Sequence, residues 1–232
     1  MKRILLLSSA LLLLALAPSA SARVVELGAG GTAATPSCPG STSDPCAAVV
    51  RMTGLQGRSA GAPKNPYYIR RDGYIVAFTV TLSKPTADQI DFFNTNFGSP
   101  AELRLAVLRK GSTRKTRLNY RLVGQTDNFR VDKFLGSSPT FVLPKPLRVK
   151  KTNWIGITVP TWAPMFAHNL TGSDWWRASR TKESCEPPKS YDQFAMSIIH
   201  DINVFGCTYH RERLLFTATY VPDPRETVKE PK

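Results

Sequence analysis

Tryptophan and arginine cluster in two stretches of this sequence whose spacing suits ligand contact. Trp162 lies between Pro160 and Pro164 in ITVPTWAP, and Trp175-Trp176 stand beside Arg177 and Arg180 in DWWRASR. An indole face held rigidly by neighbouring prolines can stack on a sugar ring or a base. Guanidinium groups bond hydroxyl and carboxylate groups, or stack on the indoles themselves. Adjacent residues in an extended segment point to opposite faces, so one of Trp175 and Trp176 turns inward and the other outward. Trp162, Trp175, Trp176, Arg177 and Arg180 are therefore the candidate ligand-binding residues. The competing expectation is that they anchor loops and core. Trp154 opens an apolar run and is expected in the core.

A second chemistry is attraction of polyanions. Arg104, Arg109, Lys110, Arg114, Lys115, Arg117 and Arg121 fall in one strand-turn-strand segment with few acids nearby. Arg104, Lys110, Arg117 and Arg121 are expected on its outward face or tip. These cations are candidate polyanion contacts, although long cations on a strand also serve to block edge-to-edge aggregation. Lys145, Arg148, Lys150 and Lys151 form a smaller run with the same two readings.

Catalytic motifs lack their contexts. GRSAG, residues 57–61, has the G-x-S-x-G spacing with Ser59 as nucleophile, but that elbow needs a helix straight after it. Pro63 and Pro66 oppose a helix there. STRK, residues 112–115, sits in a turn with none of its companion motifs. The three histidines, His168, His200 and His210, form no H-E-x-x-H, and no calcium loop is present. The paired carboxylates of a glycoside hydrolase carry no signature, and the 17 acids single out no pair. The expectation is a protein without catalytic residues, cofactor or metal.

The elements that must position these residues follow from the ends inward. Lys2 and Arg3, an apolar run over 4–17 and Ala20-Ser21-Ala22 predict a signal peptide over 1–22. Removing its two cations takes the formal net charge from +14 to +12. The mature chain is expected to be secreted or associated with the cell envelope, with no later membrane span. Four cysteines in an exported chain read as disulfides. Short loops cost least entropy to close, which favours Cys38–Cys46 and Cys185–Cys207 over the cross pairings.

Residues 23–45 are rich in Gly, Ala and Thr and are expected to form a flexible segment, as are 223–232. Between them, over 46–222, period-two alternation dominates. Leu103, Leu105 and Val107 share one face of AELRLAVLRK, and Leu118, Tyr120 and Leu122 one face of TRLNYRLVGQ. Asp72-Gly73 is read as a hairpin turn between YYIRR and YIVAFTVTL. Ser83 is read as the cap of a short helix near 84–97. About eight to ten short strands and that helix predict an all-β antiparallel sandwich.

DGYIVAFTVTLSKPTADQIDFFNTNFGSPAELRLAVLRKG, PTFVLPKPLRVKKTNWIGITVPTWAP and WRASR resemble a family of uncharacterised exported proteins of high-GC Gram-positive bacteria. The likeness spans most of the mature chain and implies export and shared architecture, with no activity attached. FVLPKPLRVKKTNWIGITV is similar to a strand pair of jelly-roll modules, many of which bind carbohydrate. A fold-level likeness says little of function. The expected function is a secreted, monomeric, non-catalytic binding module contacting polysaccharide or an anionic cell-wall polymer, without specific nucleic-acid binding. The alternatives are a structural or interaction protein of the envelope and an unrecognised glycoside hydrolase.

Overall fold

A computed structural model describes residues 23–38, 46–170, 172–186 and 189–224. The expected signal segment 1–22 and residues 225–232 lie outside them. In chain order, β1 (Val25–Leu27), β2 (Val49–Arg58) and β3 (Gly73–Val80) precede the α-helix α1 (Ala87–Phe97). β4 (Glu102–Lys110), β5 (Asn119–Gln125), β6 (Phe129–Arg130) and β7 (Thr140–Val149) follow. Next come β8 (Asn153–Ala163), β9 (Phe166–Ala167), β10 (Trp175–Ala178) and β11 (Ile202–Val204). β12 (Cys207–His210), β13 (Arg213–Leu214) and β14 (Phe216–Pro222) end the described fold.

These strands form an antiparallel sandwich. The smaller sheet runs β1-β14-β3-β7 and the larger β11-β5-β4-β8-β2-β10-β12, with β6 also on β4 and β13 paired to β9. Phe78 and Val80 of β3 alternate into one core with Leu103, Leu105 and Val107 of β4 and Ile155, Ile157 and Val159 of β8, and the register shift between Ile75 and Ala77 brings Ile75 into the same core. That face of β4 is the one its sequence period marks.

The other face of the large sheet is also covered. Residues 189–206 cross it as a strap, and Met196 and Phe205 bury Leu55, Ala106, Leu108, Tyr120 and Leu122 in a second core. Backbone groups fasten the strap: Phe194 N donates to Arg51 O (2.8 Å), His200 N to Leu122 O (2.7 Å) and Phe205 N to Leu118 O (2.7 Å). Met196 N donates to the Thr53 hydroxyl at 2.9 Å. Cys185–Cys207 ties the chain on either side of the strap, and Cys38 is bonded to Cys46. Both disulfides are those the loop lengths favour, and each contributes roughly 2–4 kcal/mol.

Four local expectations change. The segment 23–45 is not wholly loose, because β1 pairs with β14 in register Val25↔Tyr220 to Leu27↔Ala218. The helix is capped by Thr86 rather than Ser83: the Thr86 hydroxyl accepts from Gln89 N while the Gln89 side chain accepts from Thr86 N. That capping box supersedes Ser83, whose hydroxyl donates to Pro164 O instead. Asp72-Gly73 does not close a hairpin. Ile69 N donates to Asn153 O and Ile155 N to Tyr67 O, so 67–69 joins β8 and the chain then crosses to β3 in the other sheet. β7 and β8 likewise belong to different sheets, with the crossing at 150–152.

β7 is an edge strand. Its register on β3 breaks between Ile75 and Ala77, so Leu143 to Pro146 have no partner there. Pro144, Lys145 and Pro146 in that break are all exposed.

Candidate functional site

Three of the candidate ligand residues are buried. Trp162 pairs opposite Val50 and is only 1% exposed. Its ring stacks on Phe93 of α1 at 5.0 Å and its Nε1 donates to Asn94 Oδ1 at 3.0 Å. Pro160 and Pro164 therefore frame a core residue and not a displayed platform. Trp176 stacks on Tyr209 at 4.6 Å and donates to Glu212 Oε2 at 3.0 Å. Burial raises the Glu212 pKa, and the Trp176 N–H works against that shift. Arg180, 2% exposed, lies 4.9 Å over the Phe194 ring and donates to the Tyr209 hydroxyl at 3.0 Å. Arg180 thus cannot reach a polymer outside.

Trp175 and Arg177 are half-buried, on the strand face opposite Trp176. The Trp175 ring lies against Gly57 so closely that a Cβ there would fall 2.0 Å from it. Arg177 covers the same ring at 5.4 Å. Trp154, expected in the core, is half-buried on the outer face of the large sheet, edge-on to Tyr68 at 5.2 Å. Its neighbour Ile155 points into the sandwich, while Trp154 packs against the second core.

The cationic hairpin forms as expected between β4 and β5. Arg109, Lys110, Arg114, Lys115 and Arg117 are exposed and Arg121 is half-buried. Arg104 is the correction. It is buried, donating to Asn128 Oδ1 at 2.6 Å and Met196 O at 2.8 Å, because the strap covers the face that alternation left to solvent. Desolvation lowers its pKa, with Glu102 opposing.

A groove of about 1190 Å³ lies elsewhere, between β1, the ends of β14 and β3, and the loop 63–71. Gly28 N donates to Pro66 O at 3.1 Å and joins the end of β1 to that loop. The Tyr220 hydroxyl donates to Arg71 O at 2.6 Å and fixes the bend before β3. Tyr68, Tyr74 and Tyr220 with Pro63, Pro66 and Pro222 supply apolar walls. Arg23, Lys64, Arg70 and Arg71 line the same groove, against Glu26 and Asp223 as its acids. Both acids are engaged: Glu26 accepts from the Thr219 hydroxyl at 2.9 Å, and Asp223 pairs with Arg148 at 2.9 Å. Arg148 also covers one face of Tyr74 at 4.8 Å. Tyr74 is still 41% exposed, so aromatic surface remains open to a ligand.

The sequence marked Pro63 and Pro66 only as helix breakers and Arg148 only as part of a cationic run, and it pointed to none of the groove's tyrosines or lining cations as ligand contacts. The signal is present in YYIRRDGY, residues 67–74, where tyrosines flank a pair of arginines, but the reading as a hairpin strand absorbed it. The concavity itself needs three separated segments to meet.

The chain matches no family model, no curated protein and no solved structure.

β2 ends at Arg58, and 59–62 form a turn closed by Ala62 N donating to Ser59 O at 3.1 Å. Ser59 is buried and has no helix behind it. A fluorophosphonate probe is therefore expected to leave the protein unlabelled. Stoichiometric labelling that disappears in Ser59→Ala would restore the hydrolase. Among the described residues, no group of three or more His, Cys, Asp or Glu is placed to hold a metal ion.

Proposed function

We propose that this protein is an exported, non-catalytic binding module whose groove takes an anionic, sugar-containing polymer. The observation that carries the reading is the groove, which combines open tyrosine surface with four lining cations against two engaged acids. Tyrosine faces suit the apolar faces of sugar rings, and guanidinium groups suit carboxylate, sulfate or phosphate oxygens. A groove of this size exceeds the roughly 300–1,000 Å³ typical of small-ligand sites, which suits a segment of a longer chain. The two disulfides and a net charge of +14, or +12 without residues 1–22, accord with a role outside the cytoplasm among anionic polymers. Among the described residues, no helix is long and apolar enough to cross a membrane.

One observation favours the second reading, a structural or interaction protein of the envelope: Trp162, Trp176 and Arg180 all serve the fold. A glycan and cell-wall polymer array probed with the mature protein separates the two. Tyr74→Ala and the pair Lys64→Gln/Arg70→Gln are each expected to weaken binding at least about tenfold, roughly 1.4 kcal/mol. Added salt is expected to weaken it further, because the exposed cations are screened. A wild-type protein that binds nothing on the array, or variants that bind as well as it does, would leave the structural reading standing.

A further inference from the structure

We propose that the β11 edge of the large sheet is a docking surface for a bilayer carrying anionic headgroups. Directly opposed residues of an antiparallel pair share a face. The registers Ile202↔Arg121 and Arg109↔Arg121 therefore set Ile202, Arg121 and Arg109 in one row across β11, β5 and β4. Val204 stands two residues on, on the same face, opposite Asn119. Ile202 is 50% exposed and Val204 is exposed beside it, while Ile198, at 63%, and Ile199 project from the turn that leads into β11. Isolated aliphatic side chains on a surface mean little, but these lie together on one edge.

Cations flank that aliphatic edge on the hairpin side. Arg109 lies in its row, and Lys110, Arg114, Lys115 and Arg117 follow on the exposed tip of the same hairpin. The tip has a defined shape, with Gly111 N donating to Asn119 O at 2.9 Å and the Thr113 and Thr116 hydroxyls bonded at 2.8 Å. Arg121 Nη1 donates to His200 O at 2.9 Å and so joins the cationic hairpin to the aliphatic turn. Asp201, also exposed, is the acid within that turn. A soluble polyanion would use the charges and gain nothing from the isoleucines. An anionic bilayer uses both, with headgroups meeting the cations and aliphatic side chains entering the interface. This surface is separate from the groove and does not depend on what the groove binds.

The test is co-sedimentation of the mature protein with vesicles of pure phosphatidylcholine and of equimolar phosphatidylcholine and phosphatidylglycerol. Binding is expected to the anionic vesicles and at least about tenfold weaker to the neutral ones. The triple variant Arg114→Gln/Lys115→Gln/Arg117→Gln should lose at least about tenfold in affinity for anionic vesicles. Ile198→Asn alone, which lies outside the strand pairing, and Ile198→Asn/Ile202→Asn should both weaken that binding without moving the melting temperature. Isoleucine variants that sediment like the wild type would show a charge-only polyanion surface and overturn the proposal. So would a wild type that ignores anionic vesicles, or one whose exposed edge pairs two copies in solution instead.

Discussion

Trp162→Ala is expected to lower the stability of the protein by about 3–5 kcal/mol, the usual cost of removing a buried indole. The ring is in contact with Phe93 and bonded to Asn94, so the change opens a cavity at the junction of α1 and β8. Cavity walls relax only in part, and the lost contacts are not regained. Trp162→Phe keeps a ring against Phe93 and removes the hydrogen bond, so it should cost much less. Trp154→Ala, at a half-buried position, should fall between the exposed range and the Trp162 value. Urea midpoints for the three variants decide the matter. A Trp162→Ala protein as stable as the wild type, or less affected than Trp154→Ala, would contradict this placement of the two indoles.

Removing the Arg213 side chain is expected to cost about 3–5 kcal/mol as well, for a different physical reason. Arg213 Nε donates to Asp174 Oδ1 at 2.5 Å, and the Asp174 side chain is almost wholly inaccessible. The same guanidinium donates to Thr32 O and to the Thr32 hydroxyl, so it joins β13, the N-terminal segment and the loop before β10. Arg213→Ala leaves the carboxylate buried without its partner, which is the costly way to break such a pair. Arg213→Met/Asp174→Leu removes both charges and should recover much of the loss, since apolar replacements of buried pairs are often neutral. If the single and double variants melt together, the loss comes from contacts other than the ion pair.

The parts of the fold that were legible in the sequence are those set by local pattern. The alternation of β4 and β5, the turn between them and the short spans between cysteines each depend on residues near in sequence. What was not legible depends on which faces the strap and the sheets cover. Arg104 lies on the non-core face of β4 by period alone, yet residues 189–206 close over it. Trp162 looks like a loop residue because prolines flank it, but the helix α1 arrives from 65 or more residues earlier in the chain to cover it. Asp72-Gly73 has hairpin chemistry, and the local preference loses because 67–69 gains a ladder with β8 while β3 gains one with β14 and β7. The groove failed to show for the same reason, since its walls come from β1, the 63–71 loop and β14.

The proline-broken edge at β7 has a consequence for how this protein behaves when crowded. An open edge strand is a template on which a second chain can lay its own backbone, and repeated addition leads to fibres. Pro144 and Pro146 have no N–H to offer, and Lys145 between them sets a charge where an incoming strand would dock. The small sheet is thereby capped on that side, and strand addition at the β7 edge is disfavoured.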